Sequence, residues 1–284
     1  MHLALLLHPA QTLALDSWTI HPSTVIGLTA LGWLYFYRTR AAEGIGPSMG
    51  QRIAFVSGLV LLFLILNGPL HDLSDFYLFS GHMVQHLIME LIVPPLLIAG
   101  TPGWMLRPAL QWPVVRWLAP RISSAPMAFA IFNITLAVWH IPALYNMALL
   151  HHNVHILQHV TFLVASVLMW WPFMSPLPEL PRLSYPGQML YCFLMTLPMS
   201  VVAVYITMAD TVLYPMYASS PRLWGISPKM DQQIGGLIMW IPGGLFFYGI
   251  MSVVFFRWQK QGNGGDEVSD AQGSRGTLTP ASGT

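Results

Sequence analysis

The chain has 284 residues, of which 55% are hydrophobic and only 8% charged, a balance that excludes an ordinary soluble domain and identifies an integral membrane protein. A formal net charge of +1 excludes the basic excess that a nucleic-acid partner requires. The single cysteine, Cys192, excludes an intramolecular disulfide, a CxxC redox pair and a thiolate cage; a bound metal would rest on imidazole and thioether, and 11 histidines with 17 methionines suit copper better than magnesium or calcium.

Residues 1–21 contain no lysine or arginine, so the charged region of a secretory signal is missing and an extracytoplasmic arm is expected there. A first span is expected over about Pro22–Tyr37, closed by Arg38 and Arg40, and a second over about Ile53–Gly68. The link Pro69–Tyr77 carries His71, Asp72 and Asp75. The third span, about Leu78–Gly100, is interrupted by Pro94-Pro95, which removes helical N–H donors from its second half.

Between Thr101 and Pro126, Arg107, Arg116 and Arg121 alternate with Trp104, Trp112 and Trp117, the pattern of a segment lying in the membrane interface. The fourth span, about Met127–Leu150, contains His140. A fifth is expected over about Val154–Trp171, a sixth over Gln188–Met208 and a seventh over Ile234–Phe256. The chain thus reads as an all-α polytopic membrane helix bundle: an arm at 1–21, a seven-helix membrane domain at 22–258 and a disordered cytoplasmic tail at 259–284, rich in Gly, Ser and Thr.

Loops after the odd-numbered spans hold Arg38, Arg40, Arg52, Arg107, Arg116, Arg121, Arg182, Arg257, Lys260 and Arg275, whereas the opposite loops hold only Arg222 and Lys229. The positive-inside rule therefore puts the N-terminus outside and the C-terminus in the cytoplasm of an inner (plasma) membrane. On that map every histidine falls on the extracytoplasmic side.

Within this layer, His82 and His86 on the third span and His155 and His159 on the fifth each stand four residues apart, about 6 Å along a helix axis, where two imidazoles can converge on one ion. His140, on the helix between them, adds a fifth candidate ligand. The competing account is that these side chains hydrogen-bond between helices as packing groups, but ionisable stripes inside hydrocarbon are costly and point to a functional site. Glu90, one turn deeper than His86, either orients that imidazole or sits as a neutral buried acid. Asp231, at the start of the seventh span, reads as an N-cap. Loop histidines His71, His151 and His152 read as solvated side chains, with ligation or a metal entry path as the alternative.

His82-Met83-Val84-Gln85-His86 leading to Pro94-Pro95-Leu96 and Gly100-Thr101-Pro102, Trp139-His140, His155 to His159 followed by Trp170-Trp171-Pro172, and Asp231-Gln232-Gln233 with Gly235-Gly236 and Trp240-Ile241-Pro242-Gly243 together resemble the CtaG family of multispan cytochrome c oxidase assembly factors. The resemblance covers most of residues 20–256. It implies a seven-helix protein, not an enzyme, that serves assembly of a haem-copper oxidase and has the oxidase subunits and the lipid bilayer as partners. Copper ligation by His82, His86, His140, His155 and His159 is an inference from ligand type and depth.

Two other classes use similar residues. A bis-histidine haem protein would take one histidine from each of two helices, and four candidates crowd one layer here. A membrane di-iron oxidase or desaturase-like enzyme is favoured by His151-His152-x-x-His155, but its histidine boxes belong on the cytoplasmic face. A retinal protein would need a lysine in the seventh span, and Ile234–Phe256 has none.

Overall fold

The computed structural model describes residues 18–41 and 46–275, with side chains described through Gln261. Most of the expected arm, including His2 and His8, and the last residues of the expected tail, 276–284, lie outside the described residues. Among the described residues the chain is helical, with no strand.

Helix α1, Pro22–Ala41, opens on a proline whose fixed φ suits the first helical position. The chain just before it is held by Asn67, whose side-chain oxygen accepts from His21 N (2.9 Å) and whose carbonyl accepts from Thr19 N (3.0 Å). Helix α2, Met49–Asn67, starts four residues earlier than the apolar run because of a capping box: Ser48 Oγ accepts from Gln51 N (3.2 Å), and Gln51 Oε1 accepts from Ser48 N (2.9 Å). The expected link is itself a helix, α3, Pro69–Phe76.

The opening of the third span is α4, Phe79–Leu87, which passes through a π turn at Ile88–Ile92 into α5, Val93–Gly100. Pro94 has no N–H to give the Glu90 carbonyl four residues back, and Trp170 Nε1 donates to that carbonyl instead (2.9 Å). The double proline therefore leaves the span continuous, at the cost of one indole from another helix.

Short helix α6, Gly103–Leu106, and a 3₁₀ turn at Arg107–Gln111 lead to α7, Pro113–Ile122, which meets α8, Ala125–Trp139, at 80°. The expected fourth span is broken. Helix α8 ends at Trp139 and α9 runs Pro142–Leu150, because Pro142 disfavours helical backbone at Ile141. Helices α10 (His152–Met174), α11 (Tyr185–Met208), the single turn α12 (Pro215–Ser219) and α13 (Pro228–Arg275) complete the bundle.

Among the described residues, five helices are long and apolar enough to cross a membrane: Met49–Asn67, Phe79–Gly100, His152–Met174, Tyr185–Met208 and Pro228–Gln261; the bent pair α7 and α8, taken as one span, makes six. The first of the seven expected spans, α1, has the length but not the apolarity, since four Ser/Thr residues and two arginines fall within its 20 residues.

The distribution of polarity is that of a bundle in lipid. Val164, Val201 and Leu245 are 56%, 69% and 63% exposed, whereas Gln85, Gln158, Asp231 and Gln232 are at most 1% exposed. Apolar side chains outside and polar ones inside reverse the soluble pattern and match a hydrocarbon solvent. Small residues let the helices close up: a Cβ added at Gly236 would collide with Thr207 Oγ1 on α11, and one at Gly100 would lie 2.5 Å from the Phe55 N of α2.

Candidate metal centre

The site begins with how α4 is held. Asp231, 1% exposed on α13, accepts from Phe79 N (2.7 Å), Ser80 N (3.0 Å) and Ser80 Oγ (2.5 Å). The expected N-cap is real, but it caps the neighbouring helix and not its own. A carboxylate at those orphan N–H groups fixes the axial position of α4, and with it His82 and His86.

The two expected histidine pairs come together. Ring centroids are 4.3 Å apart for His82 and His86 and 4.3 Å for His155 and His159. Between the helices they are 6.4 Å for His82 and His155, 6.5 Å for His82 and His159, and 5.4 Å for His86 and His159.

His140 stands one layer away, sharing Tyr145 with His82 (6.4 and 5.1 Å) and Phe162 with His86 (6.3 and 4.8 Å). Its Nδ1 donates to the Leu136 carbonyl (2.7 Å), which fixes the tautomer and leaves Nε2 bare. Met83, beside the stripe, packs against Gly235 of α13.

The hydrogen-bond accounting of these rings is incomplete in a specific way. Both ring nitrogens of His82 and the Nε2 atoms of His86, His140, His155 and His159 are buried without a partner. Buried imidazole nitrogens are ordinarily satisfied, so every expected ligand offers an orphaned lone pair or N–H. His86 Nδ1 lies 3.0 Å from Glu90 Oε1, so the carboxyl group can hold the ring in the orientation that leaves Nε2 free.

Asp75 completes the cluster and was not among the expected ligands. One of its oxygens and one nitrogen each from His82 and His155 lie within 4.8 Å of one another, and its Oδ2 is 3.4 Å from both His155 Nδ1 and His71 Nε2. A signal was present in the sequence: His71 and Asp75 repeat the four-residue step of the two histidine pairs. It was obscured because their segment reads as a loop when it is helix α3.

Behind the cluster lies a satisfied polar layer. Gln85 Nε2 donates to Ile65 O (2.5 Å) and approaches His71 Nδ1 (3.2 Å), while Ser74 Oγ lies 2.9 Å from Gln85 Oε1. Tyr217 OH donates to Ser74 O (2.7 Å) and lies 3.1 Å from Tyr145 OH.

A narrow cleft of about 30 Å³ reaches the cluster between His21, His71, His152, His155 and His159. Burial, reinforced by His71, lowers the His21 pKa to about 4; burial also lowers that of His71, partly offset by Asp75. Both rings are therefore neutral near pH 7, the form in which imidazole binds a metal.

A polytopic membrane helix bundle built around a buried, multi-helix histidine centre is the class these observations define. The chain belongs to the cytochrome c oxidase caa3 assembly factor family, Caa3_CtaG, whose family model matches residues 31–261. It is similar to an uncharacterised protein of Mycobacterium bovis, 23% identical over 248 residues that make up 82% of this chain and 37% of the relative. It is also similar to an uncharacterised protein of Mycobacterium leprae, 26% identical over 259 residues, 84% of this chain and 39% of the relative. The chain thus spans well under half the length of these curated relatives. No solved structure matches it.

Proposed function

We propose that this chain binds copper at the buried cluster of His82, His86, His155 and His159, with Asp75 as a further donor and His140 in support, and that it serves metallation of cytochrome c oxidase in the inner membrane. The observation that carries the reading is the set of orphaned ring nitrogens: all five histidines bury at least one without a partner. A bound cation removes that penalty, since each bare nitrogen becomes a ligand. Borderline imidazole donors beside a carboxylate suit copper or zinc rather than magnesium, and membership of an oxidase assembly family supports the reading as copper.

In this reading His82, His86, His155 and His159 hold the ion, Glu90 orients His86, and Asp231 keeps α4 in register. The role is delivery to the oxidase subunits and not catalysis. The charge bias of the loops sets the cluster on the extracytoplasmic side, with the N-terminus outside and α1 as an additional, seventh crossing. A porphyrin would need a flat slot far larger than the cleft of about 30 Å³ at the rings, which favours a bare ion over haem.

The test is metal content. His86→Ala and His159→Ala are expected to lower copper bound per purified protein and oxidase activity in the host membrane, with the protein still inserted. Copper content equal to wild type in both variants would defeat the assignment.

A further inference from the structure

We propose that His21 and His152, at the mouth of the cleft, form an outer capture site that passes a copper ion inward to His155 and His159. The inference rests on the reading of the buried cluster as a copper site, and adds to it a route and a direction.

Imidazoles line the cleft without interruption. His152 is exposed and His21 half-buried, with ring centroids 5.5 Å apart; His21 lies 4.6 Å from His71, which lies 5.9 Å from His155 and 6.4 Å from His159. Exposure drops from the mouth inward, from exposed His152 and half-buried His21 to 4% at His71 and 8% at His155. An ion taken at the mouth is therefore separated from the inner pair by a single imidazole, that of His71. His21 is also placed by design of the backbone and not by chance. Asn67 holds its N–H and that of Thr19, which fixes the chain ahead of α1 over the start of α3.

His71 is the element that keeps the two sites apart. Gln85 is oriented by Ile65 O and Ser74 Oγ, so its amide nitrogen donates to His71 Nδ1, and the ring's one proton sits on Nε2. That N–H faces two acceptors, His21 Nε2 at 2.8 Å and Asp75 Oδ2 at 3.4 Å. When an ion takes the lone pair of His21 Nε2, the His71 proton keeps a partner by turning to Asp75. No buried donor is orphaned and no proton has to leave. His71 is accordingly a positioning residue, and the ligands lie on either side of it.

The experiment follows copper(I), supplied as its acetonitrile complex, into full-length protein in detergent, with loading rate and final copper content read separately. For the double variant His21→Ala/His152→Ala, loading is expected to slow by about tenfold, the lower range for loss of an outer partner of a metal site, while the inner cluster still fills. His86→Ala should instead lose final content while keeping the fast first phase. Wild-type loading rate in the double variant overturns the capture site and leaves the buried cluster standing. Loss of all binding in that variant also overturns it, because His21 and His152 would then belong to a single site. A wild-type protein that takes up no copper overturns both readings together.

Discussion

Asp231 Oδ1 sits 2.5 Å from Ser80 Oγ and 3.0 Å from Ser80 N, tying the start of α13 to the start of the helix that carries His82 and His86. The carboxylate satisfies N–H groups that α4 cannot satisfy itself. Asp231→Ala would leave these buried donors bare. The expected loss is about 2–3 kcal/mol, combining a lost cap with buried unsatisfied donors. Thermal unfolding in detergent should show a lower midpoint, and Asp231→Asn, which keeps one acceptor, should fall between wild type and Ala. An unshifted midpoint in Asp231→Ala would remove the capping role.

Two glycines of α13 make a matched pair. Gly236 faces α11, where an added Cβ meets Thr207 Oγ1 and lies 3.1 Å from Ala203 O; Gly244 has nothing within 4 Å. In a helix interior Ala is favoured over Gly by about 1 kcal/mol. Gly244→Ala should therefore be neutral or stabilising, whereas Gly236→Ala should destabilise, because the backbone carbonyl of Ala203 cannot rotate away. Thermal midpoints of the two variants, measured side by side, check the sign of each effect.

Much of this architecture is written in local pattern. Apolar length marks the helices from Met49 onward, and the four-residue step marks His82 with His86 and His155 with His159, because helix periodicity alone puts each pair on one face. What pattern could not carry is which partner sits across the gap. Asp75 joins His155 only when α3 folds over α4, and Asp231 caps α4 from more than 150 positions away in the chain. His140 lies one layer from the two pairs, its ring meeting Tyr145 and Phe162, which also touch His82 and His86. The break after Trp139 was signalled by Pro142, and reading through it produced a single span from two helices.

Stability should depend on pH through His21 and His71, which line the cleft. Burial lowers the His21 pKa to about 4 and lowers that of His71 as well. Unfolded histidine titrates near about 6.5, so between about pH 6.5 and about pH 4 the unfolded chain binds more protons than the folded one. The contribution of His21 is therefore complete above about pH 6.5 and declines as pH falls toward 4. Unfolding midpoints of metal-free protein in detergent should drop across that window, and His21→Asn should flatten the drop. A flat profile in wild type would mean that neither ring is held neutral by the fold.

Glu90 offers the sharpest division between packing and metal handling. Its carboxyl oxygen lies 3.0 Å from His86 Nδ1, and the ring's Nε2 is buried without a partner. If Glu90 serves to hold the His86 proton on Nδ1, Glu90→Gln keeps an oxygen acceptor at that point and should retain most of the copper affinity. Glu90→Leu removes the acceptor, frees the ring to turn, and should weaken copper binding by about 10–100-fold, the usual cost of losing an outer-sphere partner. Leu also leaves the buried His86 Nδ1–H without an acceptor, so the apo protein should lose about 1–3 kcal/mol of stability. Competition titrations against a chromophoric copper chelator give the affinities, and thermal midpoints of the same samples give the stabilities. A loss of copper affinity in Glu90→Leu that Glu90→Gln does not share is the signature of an orienting residue, whereas an equal loss in both variants, or none in either, would reduce Glu90 to a packing role.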